Sequence, residues 1–174
     1  MGSRSSSDDR SNTPFPQKSA LFAKLSVPLS QARRPLRYTF TARSLGSGWV
    51  GLGLHIFVET EKRRRGYGEG RSLLVWLTQD PKHNGDEAAR LQVYRSTTDV
   101  VMTLEKEVIV PESVFDSNLI VIDMDPVKGR LSVSLNGSER LVCDELSDLA
   151  HGVAVVFRAL DRAGFKDFRV EELP

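Results

Sequence analysis

Residues 118–137 read NLIVIDMDPVKGRLSVSLNG, and this stretch decides the fold class. Two runs of alternating apolar and polar residues flank a DPVKG segment that begins at Asp125, and its proline and glycine suit a reversing turn. The second run places three apolar side chains on one face: Leu131, Val133 and Leu135. It ends in Asn136-Gly137, a dipeptide that favours tight hairpins. The stretch therefore predicts one β-hairpin followed directly by the turn of another.

The same period of two continues on both sides of this stretch. In WVGLGLHIFVE, residues 49–59, one face is aliphatic, and the other carries two glycines that leave room for a close neighbour. Residues 72–79, SLLVWLTQ, are nearly all apolar, as in a strand covered on both faces. We expect separate strands in DVVMTL (99–104) and EVIV (107–110), a loop in PKHNGDEA (81–88) and one helical turn in DELSDLAHG (144–152).

This pattern gives about ten to twelve short strands and little helix. Such a chain folds as an all-β protein, an antiparallel β-sandwich or a barrel, because each strand must bury one apolar face against another sheet. A length of 174 residues with 40% apolar residues predicts a single domain with a sizeable core.

Composition excludes several classes of protein. The formal net charge of +1 lacks the strong positive field of a dedicated nucleic-acid binder, so a nucleic-acid partner is not expected. The single cysteine, Cys143, excludes an intrachain disulfide and a zinc site of several thiolates, and it is interpreted as a small core residue. No apolar run approaches the ~18 residues of a membrane-spanning helix.

The first 37 residues differ from the rest, with seven basic residues against two acidic ones. Residues 1–20 are predicted to be a disordered arm, or residues added for recombinant expression, because they are rich in serine, proline and charge without an apolar period. Residues 21–174 are predicted to form one β-sandwich domain. The compartment stays open, and export to the periplasm or the cell exterior after removal of a signal peptide is one alternative.

The order of these segments resembles a known superfamily. A strand ending in FTARS is followed by GWVGLGLHIF, a polar loop, YGEGRSLLVWLT, the hairpin VIDMDPVKGRLSVSLNG and a closing FKDFRVEEL. Over residues 25–174 this arrangement resembles the concanavalin A-like lectin/glucanase superfamily, in particular its laminin-G-like modules. The resemblance implies a jelly roll of two antiparallel sheets, one of them often concave, with the closing strand beside the first. Members bind sugars or proteins, and some hydrolyse polysaccharides.

The resemblance implies that hydrolytic members of the superfamily carry a strand with the pattern Glu-x-Asp-x-x-Glu. This pattern sets an acid and a nucleophile about 5 Å apart. This sequence lacks that pattern. Its nearest candidates, Asp123 and Asp125, share a strand face but have no glutamate partner. We interpret them as a solvated strand end in which Asp125 opens the turn, and we predict no catalytic residues.

Sugar binding needs an apolar ring to contact sugar C–H groups and planar polar side chains to hold hydroxyls. The predicted ligand-binding residues are His55, Tyr67, Gln92, Tyr94 and Arg95. Gln92 and Tyr94 share a strand face that could line the concave sheet. Trp49 and Trp76 are further aromatic candidates, although Trp76, between apolar neighbours, is more typical of a core.

A basic patch is the sharpest charge feature, and it consists of Lys62, Arg63, Arg64 and Arg65. It suits an acidic glycan or a phosphate, and the alternative is a solvated hairpin loop with glutamates beside it. No cofactor and no transition-metal site are predicted. A calcium site needs no fixed ligand spacing, and its candidate ligands are Asp80, Asn84, Asp86 and Asp99.

The functional prediction is a non-catalytic module that recognises carbohydrate through a concave sheet or its rim loops. One alternative is a structural or adhesive domain that contacts other proteins in a larger assembly. The other is a polysaccharide hydrolase with an atypical site.

Overall fold

The computed structural model describes residues 18–24, 34–58, 68–149, 152 and 154–174, with the backbone alone for residues 18–24. These residues contain eleven strands and one short helix, α1 (Pro81–Asn84). The strands are β1 (Lys18–Lys24), β2 (Leu36–Ser44), β3 (Val50–Val58), β4 (Ser72–Gln79), β5 (Ala89–Ser96), β6 (Met102–Val110), β7 (Asn118–Asp125), β8 (Arg130–Leu135), β9 (Ser138–Cys143), β10 (Ala154–Leu160) and β11 (Ala163–Glu172).

The strands form two antiparallel sheets stacked as a sandwich. The six-stranded sheet has the order β1-β10-β3-β4-β5-β6, and the five-stranded sheet has the order β11-β2-β7-β8-β9. This confirms the predicted two-sheet antiparallel jelly roll. The closing strand β11 pairs with β2, the strand that ends in FTARS, as the resemblance implied. We call the face of each sheet that is turned away from the other sheet its outer face.

The core lies between the two sheets. It consists of the apolar side chains that occur at every second position of the strands and point toward the other sheet. Alternate aliphatic side chains of each central strand are buried, among them Leu52, Leu54, Leu91, Ile122 and Val133. Full burial of one such side chain stabilises the fold by roughly 1.5–3 kcal/mol. Cys143 is buried in the same core, as predicted, and burial raises the pKa of its thiol.

An aromatic cluster joins the two sheets through Phe157 of β10. Its ring centroid lies 5.6 Å from that of Phe40 on β2, and 4.9 and 5.1 Å from those of Phe165 and Phe168 on β11. The pairs with Phe40 and Phe168 are edge-to-face, at 87° and 83°, an arrangement that the ring quadrupole favours. The cluster therefore fixes the six-stranded sheet over the edge of the five-stranded one.

The hairpins follow the prediction from residues 118–137. β7 pairs with β8 in one continuous register, with Ile122 opposite Val133. Asn136 and Gly137 both have positive φ, 52° and 85°, which is the requirement of the tight turn into β9.

Asp125 opens the β7–β8 turn, as predicted. Its Oδ1 accepts hydrogen bonds from the backbone N–H groups of Lys128 and Val127, each at 3.0 Å. These bonds, the one from Lys128 foremost, lower the pKa of Asp125 because they favour the carboxylate.

Two segments differ from the prediction. The runs DVVMTL and EVIV are not separate strands, because β6 continues from Met102 to Val110 through Glu105, Lys106 and Glu107. β6 is an edge strand, and charged residues are well tolerated there. A register shift opposite Val93 and Tyr94 lets the strand continue with one extra residue.

The predicted helical turn in residues 144–152 is wrong for the part that the structure describes, residues 144–149. Glu145 and Asp148 have positive φ there, which a right-handed helix does not allow. The helix lies instead in the predicted loop 81–88. Asp80 accepts from the backbone N–H of His83 at 3.1 Å, proline occupies the first turn, and Gly85 ends it at a φ of 72°.

Two further predictions concern the chain ends and membranes. The predicted domain boundary at residue 20 falls within β1, and residues 1–17 lie outside the described residues. Among the helices that the structure describes, none has the length and apolar character needed to span a bilayer.

The glycines of β3 make room for the indole of Trp76 on the outer face of the six-stranded sheet. A Cβ atom added to Gly51 would overlap the six-membered ring of Trp76, and one added to Gly53 would overlap the backbone oxygen of Val75. Trp76 is only 8% exposed as a result. This is the close approach that the glycine spacing predicted.

We expect Gly51→Ala to lower the free energy of unfolding by about 1–3 kcal/mol, the usual cost of overpacking. In a Trp76→Leu background the same change should cost less, because the ring that the methyl group meets is gone. Urea unfolding of the wild type, the two single variants and the double variant measures this difference. Gly53→Ala is the control, since its closest overlap is with the backbone oxygen of Val75, which Trp76→Leu should not relieve. An equal cost of Gly51→Ala in both backgrounds would contradict the packing.

We expect Asp125→Ala to cost about 1.5 kcal/mol of stability at pH 7, because two hydrogen bonds to a charged acceptor are lost. The pKa of Asp125 is lowered in the folded chain, so its contribution is complete above the unfolded pKa and disappears as the pH falls through the folded pKa. The stability gap between wild type and variant should therefore close in acid. A gap that stays constant from pH 7 to pH 2 in urea titrations would refute this role.

Candidate functional site

A strip of polar side chains lies on the outer face of the six-stranded sheet at β5 and β6. Leu91 and Val93 of β5 are buried in the core, so the alternation turns the residues between and beside them outward. In register, Gln92 lies between Trp76 of β4 and Glu107 of β6. We call Arg90, Gln92, Tyr94 and Glu107 the β5–β6 strip.

Hydrogen bonds join the strip into one chain. The hydroxyl of Tyr94 donates to Oε1 of Gln92 at 3.2 Å, and Nε2 of Gln92 donates to Oε2 of Glu107 at 2.5 Å. Nε of Arg90 lies 3.7 Å from Oε1 of Glu107. Gln92, Tyr94 and Arg90 are half-buried and Glu107 is exposed, so solvent or a ligand can reach the network. The four planar groups are thus held in fixed orientations at the surface.

Asp86 lies beside the strip and forms an ion pair with Arg90. Its two carboxylate oxygens each accept from Arg90 at 2.9 Å, a bidentate pair that raises the pKa of Arg90 and lowers that of Asp86. Desolvation, followed by the charge of Glu107, raises the pKa of Tyr94, so its hydroxyl is protonated at neutral pH. The strip therefore offers one guanidinium, one carboxylate, one amide and one phenol, and Asp86 adds a second carboxylate beside it.

Apolar side chains border the strip on the same outer face. Leu74, Trp76 and Leu160 form a small buried cluster, and Tyr94 and Met102 pack against it. Tyr94 consequently has an apolar side toward this cluster and a polar end toward Gln92. Apolar surface beside oriented hydrogen-bonding groups is the combination that recognition of a polar organic ligand requires.

The structure brings together some of the predicted ligand-binding residues. Gln92 and Tyr94 contact each other directly. His55 lies on the same outer face, separated from Tyr94 by Leu74 of β4, and is buried with its Nδ1 2.9 Å from the hydroxyl of Ser72.

Arg95 lies apart from the strip. It pairs in register with Leu73, a core residue, and so faces the inner side of the sheet. Its Nε donates to Glu105 at 2.6 Å, and it also donates to the carbonyl of Ser147. Tyr67 and the basic patch (Lys62, Arg63, Arg64, Arg65) lie outside the described residues.

Arg90 and Glu107 are functional candidates that the sequence prediction missed. The alternation from Tyr94 through Gln92 reaches Arg90, so this residue could have been found from the sequence. Glu107 could not, because its place beside Gln92 depends on the register between two strands and on the shift within it.

A buried ion pair also lies on this outer face. Arg158 of β10 is opposite Gly53, and it donates to the carboxylate of Glu69 and, at 3.2 Å, to the carbonyl of Gly68. Both charged side chains are 4% exposed. Removal of one partner would leave a buried charge, so the pair anchors residues 68 and 69 to the sheet.

The acidic candidates are engaged elsewhere. Asp123 forms a bidentate pair with Arg37, with both distances 2.7 Å, on the outer face of the five-stranded sheet. Asp125 holds the β7–β8 turn, so neither carboxylate is placed as an acid or a nucleophile. Of the predicted calcium ligands, Asp80 caps α1 and Asp86 binds Arg90. Within the described ranges, no three or more His, Cys, Asp or Glu side chains gather to hold a metal ion.

Comparisons with known proteins identify the fold. No protein-family model and no curated protein matches the sequence. Among solved structures, the chain is similar to the carbohydrate binding module CBM66 from Bacillus subtilis, with a TM-score of 0.57, 12% identity, and coverage of 80% of this chain and 76% of that one. It is similar to the Caenorhabditis elegans galectin LEC-6, with a TM-score of 0.55, 11% identity, and coverage of 91% and 94%.

A Bacillus subtilis protein with a galectin-like fold is also similar, with a TM-score of 0.57, 16% identity, and coverage of 80% and 73%. At these identities the comparisons establish the fold alone. They confirm the jelly-roll fold that the resemblance implied. The chain therefore has the jelly-roll fold of the concanavalin A-like lectin/glucanase superfamily.

Proposed function

We propose that this protein is a non-catalytic carbohydrate-binding module that holds a sugar on the outer face of the six-stranded sheet, over the β5–β6 strip. The observation that carries the proposal is the continuous chain of hydrogen bonds from Tyr94 through Gln92 to Glu107, with Arg90 beside it. These groups are oriented before any ligand arrives, which lowers the entropy cost of binding.

The chemistry of the strip suits vicinal hydroxyl groups. A carboxylate only accepts hydrogen bonds, a guanidinium only donates them, and an amide does both. Each sugar hydroxyl can donate one bond and accept others, so two neighbouring hydroxyls can bridge Arg90 and Glu107 or Gln92 and Glu107. The ring of Tyr94, which packs against the buried apolar cluster, provides a surface for sugar C–H groups.

Two further observations support a binding module over an enzyme. The similar structures include a carbohydrate binding module and a galectin, although they share only the fold with this chain. Of the two nearest candidates for a hydrolytic pair, Asp123 binds Arg37 and Asp125 holds a turn.

The other alternative, a protein-binding role, has one observation in its favour. The side chains along one edge of the six-stranded sheet are exposed by 46% to 66%, and they are Val100, Val101, Leu104 and Ile109. Binding to a protein that is lost in Ile109→Ser, together with blank carbohydrate screens, would favour this second function.

We expect Gln92→Ala and Glu107→Gln each to weaken sugar binding by about tenfold or more, because each removes a hydrogen bond to an oriented partner worth ~1.5 kcal/mol. A screen of immobilised neutral glycans identifies the ligand, and calorimetric titration measures the affinities.

Glu139→Gln is the matched control for Glu107→Gln, since Glu139 is an exposed glutamate on β9 of the other sheet. Its affinity should equal that of the wild type. The proposal fails when no glycan binds at millimolar concentration, or when both strip variants bind as tightly as the wild type.

A further inference from the structure

An exposed tryptophan lies at the start of β3, outside the β5–β6 strip. Trp49 is 40% exposed, whereas Trp76, the other tryptophan of the chain, is buried. The imidazole of His83 on α1 packs against the indole, with ring centroids 5.3 Å apart and planes at 64°. The indole of Trp49 is thus open to solvent, and the imidazole of His83 supports it on one side.

His83 is itself held in place by Asp80. One carboxylate oxygen of Asp80 accepts from the backbone N–H of His83 at 3.1 Å, and the other lies 2.7 Å from Nδ1 of its ring. The carboxylate is almost buried, so this double contact sets the orientation of the imidazole and, through it, supports the indole. The tryptophan is therefore a preorganised apolar surface.

Residues 80–88 connect this surface to the β5–β6 strip. Within this segment His83 contacts Trp49, and Asp86 binds Arg90, which lies beside Glu107. Side-chain contacts therefore link the indole to His83 and link Asp86 to Gln92 and Tyr94, and the backbone from His83 to Asp86 joins the two sets. The segment that carries His83 is polar, and Lys82, His83 and Asp86 are all exposed. An apolar ring in a polar setting suits a ligand with C–H faces and many hydroxyls.

We infer that Trp49 is the stacking platform of a second sugar subsite, so that the module binds an oligosaccharide and not a single sugar unit. This inference rests on the proposed function, because the first subsite is the β5–β6 strip. The ring of Trp49 contributes apolar contact, and the loop that carries His83 and Asp86 lies between the two subsites.

The test compares affinity with chain length. Gluco-, galacto- and manno-oligosaccharides of one, two and four units are titrated into the wild type, Trp49→Ala, Trp49→Tyr and Gln92→Ala. In the series that binds, wild-type affinity should rise by about tenfold or more from one unit to four. Trp49→Ala should remove most of this rise, Trp49→Tyr should keep part of it, and Gln92→Ala should weaken binding at every length.

Phe115→Ala is the matched control, since Phe115 is an aromatic residue of similar exposure next to the five-stranded sheet, and it should keep the full rise. Tryptophan emission gives a second measurement: the tetrasaccharide should protect Trp49 from acrylamide quenching in a Trp76→Phe chain, and the single sugar should not.

Two negative results are distinguishable. Binding that depends on Gln92 but has the same length dependence in Trp49→Ala and wild type overturns the second subsite and leaves the proposed function standing. No binding in any series overturns both.

Discussion

The packing of two inner faces against each other is the constraint on which the rest of the structure depends. Phe157, wedged among Phe40, Phe165 and Phe168, ties the sheets together, and the aliphatic side chains around it fill the space between them. Because a strand alternates its side chains, the choice of which ones enter this core also decides which ones face outward. The β5–β6 strip faces outward because the alternate residues of β5, Leu91 and Val93, enter the core.

The outer face of the six-stranded sheet has two parts with different physical character. Across β10, β3 and β4 it is buried, and the indole of Trp76 lies over the glycines of β3 while Arg158 and Glu69 pair nearby. Across β5 it is half-buried and polar at Arg90, Gln92 and Tyr94, and across β6 it is largely exposed. A close-packed region has few alternative arrangements, so it is a rigid support for the side chains that border it. A binding surface placed there can keep its hydrogen-bonding groups oriented without a ligand.

The sequence predicts what depends on period and on turns, and it misses what depends on strand register. The sandwich, the hairpin at Asp125, the Asn136-Gly137 turn and the shared face of Gln92 and Tyr94 all follow from local pattern. The contact of Gln92 with Glu107 requires the pairing of β5 with β6, which an extra residue in β6 displaces. The Arg158–Glu69 pair spans 89 residues, and no local rule brings its partners together.

Charge bears on the kind of sugar that the proposed site would accept. The guanidinium of Arg90 is bound on one side by Asp86 and approached on the other by Glu107, so its charge is already offset by two carboxylates. A sulfated or uronic sugar placed over the strip would bring its own negative charge beside Glu107 and would have to displace Asp86 to reach the arginine. A neutral sugar needs neither, since its hydroxyls can donate to Glu107 and accept from Gln92 with the ion pair intact. The arrangement of the strip therefore favours a neutral sugar over the acidic glycan that the basic patch suggested.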